Sequence, residues 1–265
     1  MKRVLGLMVM LLPMAALAQS AFNGTWKIDY NQFQLDRKPV MVELKDGMFT
    51  CSTCDPKISV KADGTDQKLT NDPGADTARV TVVDPHTAEL TEKKDGKTVM
   101  RVVATASDDG KTLERKTEMT AVDGTKSSYT TILSRNGEAD TTAHLSSGSW
   151  TPEKTKSAKE MTLQYAVASD GITFKGNDGE AYNVKFDGKD YPFQGMAGTT
   201  KVAVKKIDDR TIEETYKSAE GDVVFVAHIS VSPDGKTLTQ VGHDAHTGRS
   251  DTFVATKEGS EEAEK

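Results

Sequence analysis

The amino-acid sequence predicts an all-β protein made of two tandem antiparallel up-and-down β-barrel domains. Three observations lead to this prediction. Landmark residues recur at one spacing, such as Trp26 and Trp150, which lie 124 positions apart. Asp-Gly pairs separate segments rich in Val and Thr, as they do at tight hairpin turns. The longest segments alternate apolar and polar residues, and no window carries the apolar stripe of an amphipathic helix.

The constant spacing indicates an internal duplication. The clearest matched pairs are Gly24-Thr25-Trp26 with Gly148-Ser149-Trp150, VKADGTD at 60–66 with VKFDGKD at 184–190, and DGKTL at 109–113 with DGKTL at 234–238. The last pair is displaced by one position because the second copy has one extra residue near Glu220. The period far exceeds the roughly 20 to 50 residues of solenoid and propeller repeats, so each copy is predicted to be a domain with its own core.

The extent of the two copies sets the predicted domain boundaries. The predicted division is a signal peptide over 1–18, a first barrel over 22–135, a linker over 136–147, a second barrel over 148–257 and an acidic tail over 258–265. The linker is polar and the tail is strongly charged, which favours little independent structure in either segment.

The first residues have the pattern of an export signal. Lys2 and Arg3 precede an apolar stretch at 4–12, and Ala16-Leu17-Ala18 has the small-x-small pattern of a cleavage site. The stretch is shorter than the roughly 20 residues of a membrane-spanning helix. We therefore expect cleavage before Gln19, a periplasmic or secreted protein and no transmembrane segment after cleavage. An uncleaved membrane anchor is the alternative.

The charge of the chain argues against one class of partner. The formal net charge is −6, and removal of Lys2 and Arg3 lowers it to −8. Basic and acidic residues are interspersed, so no basic face is visible. Binding to nucleic acid requires such a face, and we expect no nucleic-acid partner.

The alternation within the longest strands predicts which residues point inward. Phe225, Ala227, Ile229 and Val231 share one face in the second copy. The matching face in the first copy consists of Met100, Val102, Ala104 and Ala106. The opposite face is more polar, as in a sheet that is buried on one side. About eight to ten short strands per copy are expected, which favours a barrel over a sandwich.

The Gly-x-Trp motif at 24–26 and 148–150, followed by a meander of hairpins, resembles the lipocalin and fatty-acid-binding group. The resemblance implies a lipocalin-like barrel in which the Trp packs across one end. The segments FNGTWKID, FTCSTCDPKISVKADGTDQ, VKFDGKDYPF and KKIDDRTIEETYK resemble uncharacterised exported bacterial proteins, many of them with two copies. That resemblance implies the same architecture and export, and it implies no activity.

Cys51 and Cys54 frame Ser-Thr at a predicted hairpin turn. The end residues of a tight turn lie within about 7 Å, so a disulfide is feasible. Export favours it, and closing so short a loop contributes about 2 kcal/mol. The second copy has Lys175 and Asp178 at the matching positions, so the fold does not require the pair. A redox pair or a metal site remains as an alternative.

Two further groups of polar residues are candidate sites. His243 and His246 flank Asp244 and Ala245 and are weak candidates for metal ligands, with a solvated hairpin tip as the alternative. Glu213 and Glu214 are adjacent on a strand, point to opposite faces and cannot act as one catalytic pair. The sequence contains no nucleophile elbow, phosphate loop or dinucleotide fingerprint. It therefore predicts no cofactor and favours a non-enzymatic role.

The inward aromatic residues either line a ligand cavity or fill the barrels. These residues are Trp26, Tyr129, Trp150, Phe225 and Phe253. Small barrels are often packed solid, so both alternatives stay open. Three functions follow. The first is binding of a small, apolar molecule in or at the mouth of a barrel. The second is an envelope-structural or interaction module with a protein partner, and the third is redox or metal chemistry at Cys51 and Cys54.

Overall fold

The computed structural model describes residues 20–157 and 159–260, and the predicted signal peptide over 1–18 lies outside these residues. The same holds for 261–265 of the predicted tail. The described residues form two ten-stranded antiparallel sheets, of which one is a closed barrel and the other a nearly closed barrel. They contain no helix that is long and apolar enough to cross a membrane. The predicted all-β class with two barrels is therefore confirmed.

The nearly closed barrel, called the first barrel, uses strands from the middle of the chain. Its strands are β2 (Val40–Lys45), β3 (Met48–Cys51), β4 (Ile58–Lys61), β5 (Gln67–Lys68), β6 (Thr77–Val82), β7 (Thr87–Lys94), β8 (Lys97–Ala106), β9 (Thr112–Thr120), β10 (Lys126–Asn136) and β11 (Gly148–Ser157). The sheet order is β4-β3-β2-β11-β10-β9-β8-β7-β6-β5. The Gly64 N–H donates to the Val80 carbonyl at 2.9 Å and bridges the two edges.

The closed barrel, called the second barrel, combines the first strand of the chain with its last nine. Its strands are β1 (Gly24–Gln34), β12 (Thr162–Ala168), β13 (Gly171–Gly176), β14 (Ala181–Lys185), β15 (Tyr191–Gln194), β16 (Lys201–Lys206), β17 (Thr211–Lys217), β18 (Val223–Val231), β19 (Thr237–Asp244) and β20 (Ser250–Lys257). Apart from β1, these strands follow one another in chain order around the barrel.

The structure divides the strands differently from the predicted domains at 22–135 and 148–257, because the first strands of the two copies are exchanged. β1 pairs with β12 and β20, whereas β11 pairs with β10 and β2. Both strands carry Gly-x-Trp and fit the same position in a barrel. The connection at 137–147 returns the chain beside β10, so β11 pairs with its neighbour in sequence and β1 fills the equivalent place in the second barrel. Because the two strands carry the same motif, their exchange leaves ten strands in each barrel.

The Gly-x-Trp motif closes one end of each barrel in the same way. Trp150 and Trp26 are fully buried. The Trp150 indole N–H donates to the Ser146 carbonyl, and that of Trp26 donates to the Phe22 carbonyl, both at 2.9 Å. A cation lies over each ring, with the Arg135 guanidinium carbon 4.1 Å from the Trp150 centroid and the Lys257 amine 5.1 Å from the Trp26 centroid. We call this the closed end.

The opposite ends, called the mouths, lie against each other. The Val122 N–H donates to the Gly195 carbonyl at 3.0 Å. The Arg249 guanidinium donates to the carbonyl groups of Lys38 and Pro39 at 2.7 and 2.9 Å. The first contact joins a turn of the first barrel to one of the second, and the Arg249 contacts hold the connection between β1 and β2 against the second barrel.

Candidate ligand-binding cavity

The first barrel encloses a cavity of about 400 Å³. Its walls are mainly aliphatic, and the closed end with Trp150 forms its floor. The apolar lining includes Val42, Val80, Leu90, Val102, Leu133 and Trp150. The volume lies within the roughly 300 to 1,000 Å³ of small-molecule sites. A mainly apolar cavity of this size can accommodate the body of a small organic ligand.

Side-chain size explains why the cavity of this barrel extends to Trp150, whereas the cavity of the second barrel does not reach Trp26. The strand registers align the interiors, since Val42 pairs with Gly148 in the first barrel and Tyr165 pairs with Gly24 in the second. Equivalent inward positions of the two barrels follow strand by strand from these pairs. At these positions the first barrel has small or flexible residues where the second has aromatic rings. The equivalent pairs are Val42 and Tyr165, Cys51 and Phe174, Ile58 and Tyr182, Glu92 and Tyr216, and Met100 and Phe225.

Two polar groups in the cavity wall lack a protein partner. Arg115 and Thr117 both lie on β9, two positions apart, and therefore point to the same side of the sheet. The Arg115 Nε and Thr117 Oγ1 atoms are buried and make no hydrogen bond within residues 20–157 and 159–260. Tyr129 on β10 pairs with Thr117 and also lines the cavity. A buried donor without an acceptor costs about 1 to 3 kcal/mol, so this group of residues favours an external acceptor.

A carboxyl group lies nearer the mouth. Glu92 pairs with Met100 across β7 and β8 and lines the cavity. Burial, reinforced by the negative charge of Asp72, raises the pKa of Glu92 to about 7. The charged groups of the cavity therefore differ with depth, since Arg115 lies at mid-depth and the easily protonated carboxyl of Glu92 lies at the mouth.

The cavity continues into the space between the mouths. An adjoining cavity of about 270 Å³ shares Asp72, Glu92 and Met100 with the first and extends to Met196 and His246 of the second barrel. A cavity of about 460 Å³ adjoins it on another side and shares lining residues with it, among them Arg115 and Tyr129. The mouth of the first barrel is therefore formed partly by the second.

The predicted pairing of Cys51 with Cys54 is present as a disulfide. Cys51 is buried at a position inside the barrel, and both sulfur-bearing residues line the cavity. Asp55, directly after the pair, has its carboxylate 3.4 Å from Nδ1 of His246 in the second barrel. The disulfide loop thus forms part of the mouth and contacts the neighbouring domain.

The two histidines proposed as metal ligands occupy separate surroundings. Nδ1 of His243 lies 3.0 Å from the Ser250 hydroxyl, whereas His246 faces Asp55. Among the residues that the structure describes, no group of three or more His, Cys, Asp or Glu side chains has the arrangement of a metal site.

The remaining predicted residues divide between the barrels. Tyr129 and Trp150 line the first cavity, whereas Trp26, Phe225 and Phe253 belong to or pack against the core of the second barrel. Glu213 and Glu214 point to opposite faces, as predicted. Glu213 faces His228 on the outside, at 3.7 Å, and Glu214 is fully buried inside.

Arg115, Thr117 and Glu92 are not among the residues predicted from the sequence. A signal for them exists. Leu113, Arg115 and Thr117 occupy every second position of β9 and therefore share one face of the sheet. Because the apolar Leu113 is expected to point inward, Arg115 and Thr117 are expected to point inward as well. Such a polar residue at an inward position marks a site when the barrel is hollow.

No protein-family model matches the chain, and no curated protein or solved structure is significantly similar to it. A barrel fold by itself supports many functions, so what the protein does must be inferred from the chemistry of its cavities.

Proposed function

We propose that the protein binds a small amphipathic anion inside the first barrel. The anionic group sits at Arg115 and Thr117, and the apolar body of the ligand lies against the aliphatic walls. The observation that carries this proposal is a buried guanidinium Nε and a buried hydroxyl that lack partners among the described residues, in a mainly apolar cavity of about 400 Å³ whose other charged lining residues are Asp55, Asp72, Glu89 and Glu92.

The polarity of the cavity supports this ligand class. Arg115 is half-buried and its Nε has no acceptor among the described residues, so an anion at Arg115 supplies the missing partner. Arg presents its donors as a planar fork that matches the oxygens of a carboxylate, sulfate or phosphate. A purely apolar ligand would leave these donors without acceptors, so the anionic group provides the selectivity.

The predicted signal peptide and the Cys51–Cys54 disulfide support a site of action outside the cytoplasm. We therefore propose an exported binding protein that holds its ligand in the periplasm or after secretion. A ligand with a long apolar body is poorly soluble in water, and the mainly apolar interior of the barrel shields that body.

Isothermal titration calorimetry with decanoate and decanol tests the proposal. The wild-type protein is expected to bind decanoate more tightly than decanol. The Arg115→Met variant, which keeps the length of the side chain and removes its charge, is expected to lose about tenfold or more in decanoate affinity, since hydrogen bonds to charged groups contribute about 1.5 to 3 kcal/mol.

Arg101→Met is the matched control. Arg101 lies on the outer face of β8, where its guanidinium donates to Glu89 at 2.6 Å, so its replacement should leave decanoate binding unchanged. Equal affinity of the wild-type and Arg115→Met proteins for decanoate would contradict the proposal. So would failure of the wild-type protein to bind either decanoate or anilinonaphthalene sulfonate.

A further inference from the structure

We infer that the mouth of the second barrel is a separate binding site for a small organic cation, held between aromatic rings and the Glu180 carboxylate. This site goes beyond the proposed function, since it lies in the other barrel and has the opposite charge preference.

The site is a cavity of about 310 Å³ surrounded by aromatic side chains. Its rings belong to Tyr165, Phe174, Phe193, Tyr216, Phe225 and Phe253. The centroids of Phe193 and Tyr216 are 5.0 Å apart in an edge-to-face arrangement, and Phe225 follows at 6.1 Å from Tyr216. Aromatic rings that line one space can attract a cation through their quadrupoles.

The charged residues of this cavity are all acidic. Asp178, Glu180 and Asp244 line it, and no Lys or Arg is found in its described lining. The Asp244 carboxylate accepts the N–H groups of His246 and Thr247, at 3.0 and 2.8 Å. Asp178 accepts the N–H of Glu180 at 3.2 Å. Two of the three carboxylates therefore already accept hydrogen bonds from backbone N–H groups of their own turns.

Glu180 is the carboxyl that remains for a ligand. Its side chain lies over Gly195, where an added Cβ would meet the Glu180 Cγ at 3.2 Å, and beside the Phe193 ring. Within the described part of the chain the carboxyl group of Glu180 accepts no hydrogen bond and forms no ion pair. A half-buried carboxyl that has no hydrogen-bond or ion-pair partner among the described residues, in a cavity lined by aromatic rings, favours a cation as its partner.

A second carboxyl lies below Glu180 and is already satisfied. Glu214 accepts hydrogen bonds from the Tyr182 and Tyr216 hydroxyls, the latter at 2.5 Å. Burial, together with the negative charges of Asp178 and Glu214, raises the pKa of Glu180. A cation that enters the cavity therefore replaces the proton of Glu180, and binding is accompanied by proton release.

The two cavities select different ligands. The first has Arg115 with aliphatic walls, whereas the second has Glu180 with aromatic walls. An amine with a small apolar group suits the second site, because its ammonium group pairs with Glu180 and its apolar group contacts the rings.

Phenethylammonium and its neutral analogue phenethyl alcohol are suitable probes for calorimetric titration of the full chain. The ammonium compound is expected to bind at least about tenfold more tightly than the alcohol, since charge-assisted contacts are the stronger class. Titration in two buffers of different ionisation enthalpy should show proton release with the ammonium compound and none with the alcohol.

Glu180→Gln is the decisive variant, because it keeps the shape of the side chain and removes its charge. It is expected to weaken phenethylammonium binding at least about tenfold and to abolish proton release. Glu213→Gln, which changes an outward carboxylate next to Glu214, is the control and should bind as the wild type does. Arg115→Met should also bind the probe normally, which separates this site from the first cavity.

Three results would overturn the inference. The alcohol could bind as tightly as the ammonium compound, which would make the pocket merely apolar. Glu180→Gln could retain wild-type affinity. The wild-type protein could bind neither phenethylammonium nor the smaller tetramethylammonium at millimolar concentration.

Discussion

Glu92 places an ionisable group in an apolar wall of the first cavity. Burial, with the negative charge of Asp72, raises the pKa of Glu92 to about 7 in the folded protein. In the unfolded chain a Glu has a pKa of about 4.3. The fold therefore favours the protonated form, and the folded state loses stability relative to the unfolded state as pH rises from about 4.3 to about 7.

The Glu92→Gln variant tests this linkage, because its amide stays neutral at every pH. The variant's free energy of unfolding minus that of the wild type is expected to be greater at about pH 8 than at about pH 5. Urea unfolding of both proteins at the two pH values measures the difference. A difference that does not change with pH would show that Glu92 is solvated when the protein is folded.

Glu89→Gln provides the contrast on the same strand. Glu89 points outward, and its hydrogen bond with Arg101 lowers the pKa of its carboxyl. The stabilisation from a lowered pKa is complete above the unfolded pKa and is lost only as pH falls below it. Glu89→Gln should therefore differ from the wild type by a constant amount between about pH 5 and about pH 8.

Which residues point inward could be predicted from the sequence, but what they face could not. Met100, Val102 and Ala104 share a face, as alternation predicts, and all three line the cavity. Whether a barrel is hollow depends on the size of every inward residue on ten strands. Comparison of the two copies at inward positions reveals the difference, since Val42 and Met100 replace Tyr165 and Phe225.

Among the strands, β1 and β11 show why their motif begins with Gly. Gly148 has a φ of 138°, and Gly24 has a φ of 132°, values that other residues rarely adopt. A Cβ at Gly24 would lie 2.8 Å from the Lys257 Cε, and one at Gly148 would collide with the Arg135 guanidinium. Glycine leaves room for the cation that covers the Trp.

Gly148→Ala is therefore expected to destabilise the protein more than a change in φ preference alone would. Arg135 donates to the carbonyl groups of Gly110, Ser147 and Leu145, so its displacement disrupts three hydrogen bonds at the closed end. We expect a loss of about 2 to 4 kcal/mol in the free energy of unfolding, made up of about 1 kcal/mol for the backbone and the rest for buried polar groups left unpaired. Thermal or urea unfolding measures it.

Gly137→Ala isolates the backbone contribution. Gly137 also has a positive φ, of 79°, but an added Cβ would have nothing within 4 Å. Its replacement should cost only about 1 kcal/mol. Equal losses in the two variants would show that Arg135 is not constrained by Gly148.

The number and type of strands could be predicted, whereas the partners of β1 and β11 could not. Repeats, turn signals and alternation are local or periodic, and each is visible in one copy. Gly24-Thr25-Trp26 and Gly148-Ser149-Trp150 carry the same signals, so either segment suits either barrel. The choice depends on chain connectivity, since 137–147 places β11 beside β10.

For the whole molecule, the exchange changes which part of the chain is an independent unit. All ten strands of the first barrel lie within the continuous segment 40–157. The second barrel needs β1 in addition to 162–257, and β1 supplies the fully buried Trp26 to its closed end. The chain crosses between the barrels at 35–39 and again between β11 and β12, so the two barrels are linked twice.

This topology predicts that the two parts of the chain behave differently when separated. A fragment of residues 40–157 should fold alone, because it contains a complete barrel with its Trp150 floor and its disulfide. A fragment of residues 159–260 should stay largely unfolded, because it leaves the edges of β12 and β20 unpaired and lacks Trp26.

A peptide of residues 20–35 should restore folding of the 159–260 fragment. Since the fragment itself has no Trp, a blue shift of the peptide's Trp26 fluorescence reports insertion of the peptide. The Ile28→Asp peptide is the control, because Ile28 packs against the core of the second barrel and a buried carboxylate there should prevent complementation. Cooperative folding of 159–260 without the peptide would show that β1 is dispensable, and the exchange would then be a consequence of folding rather than a requirement for it.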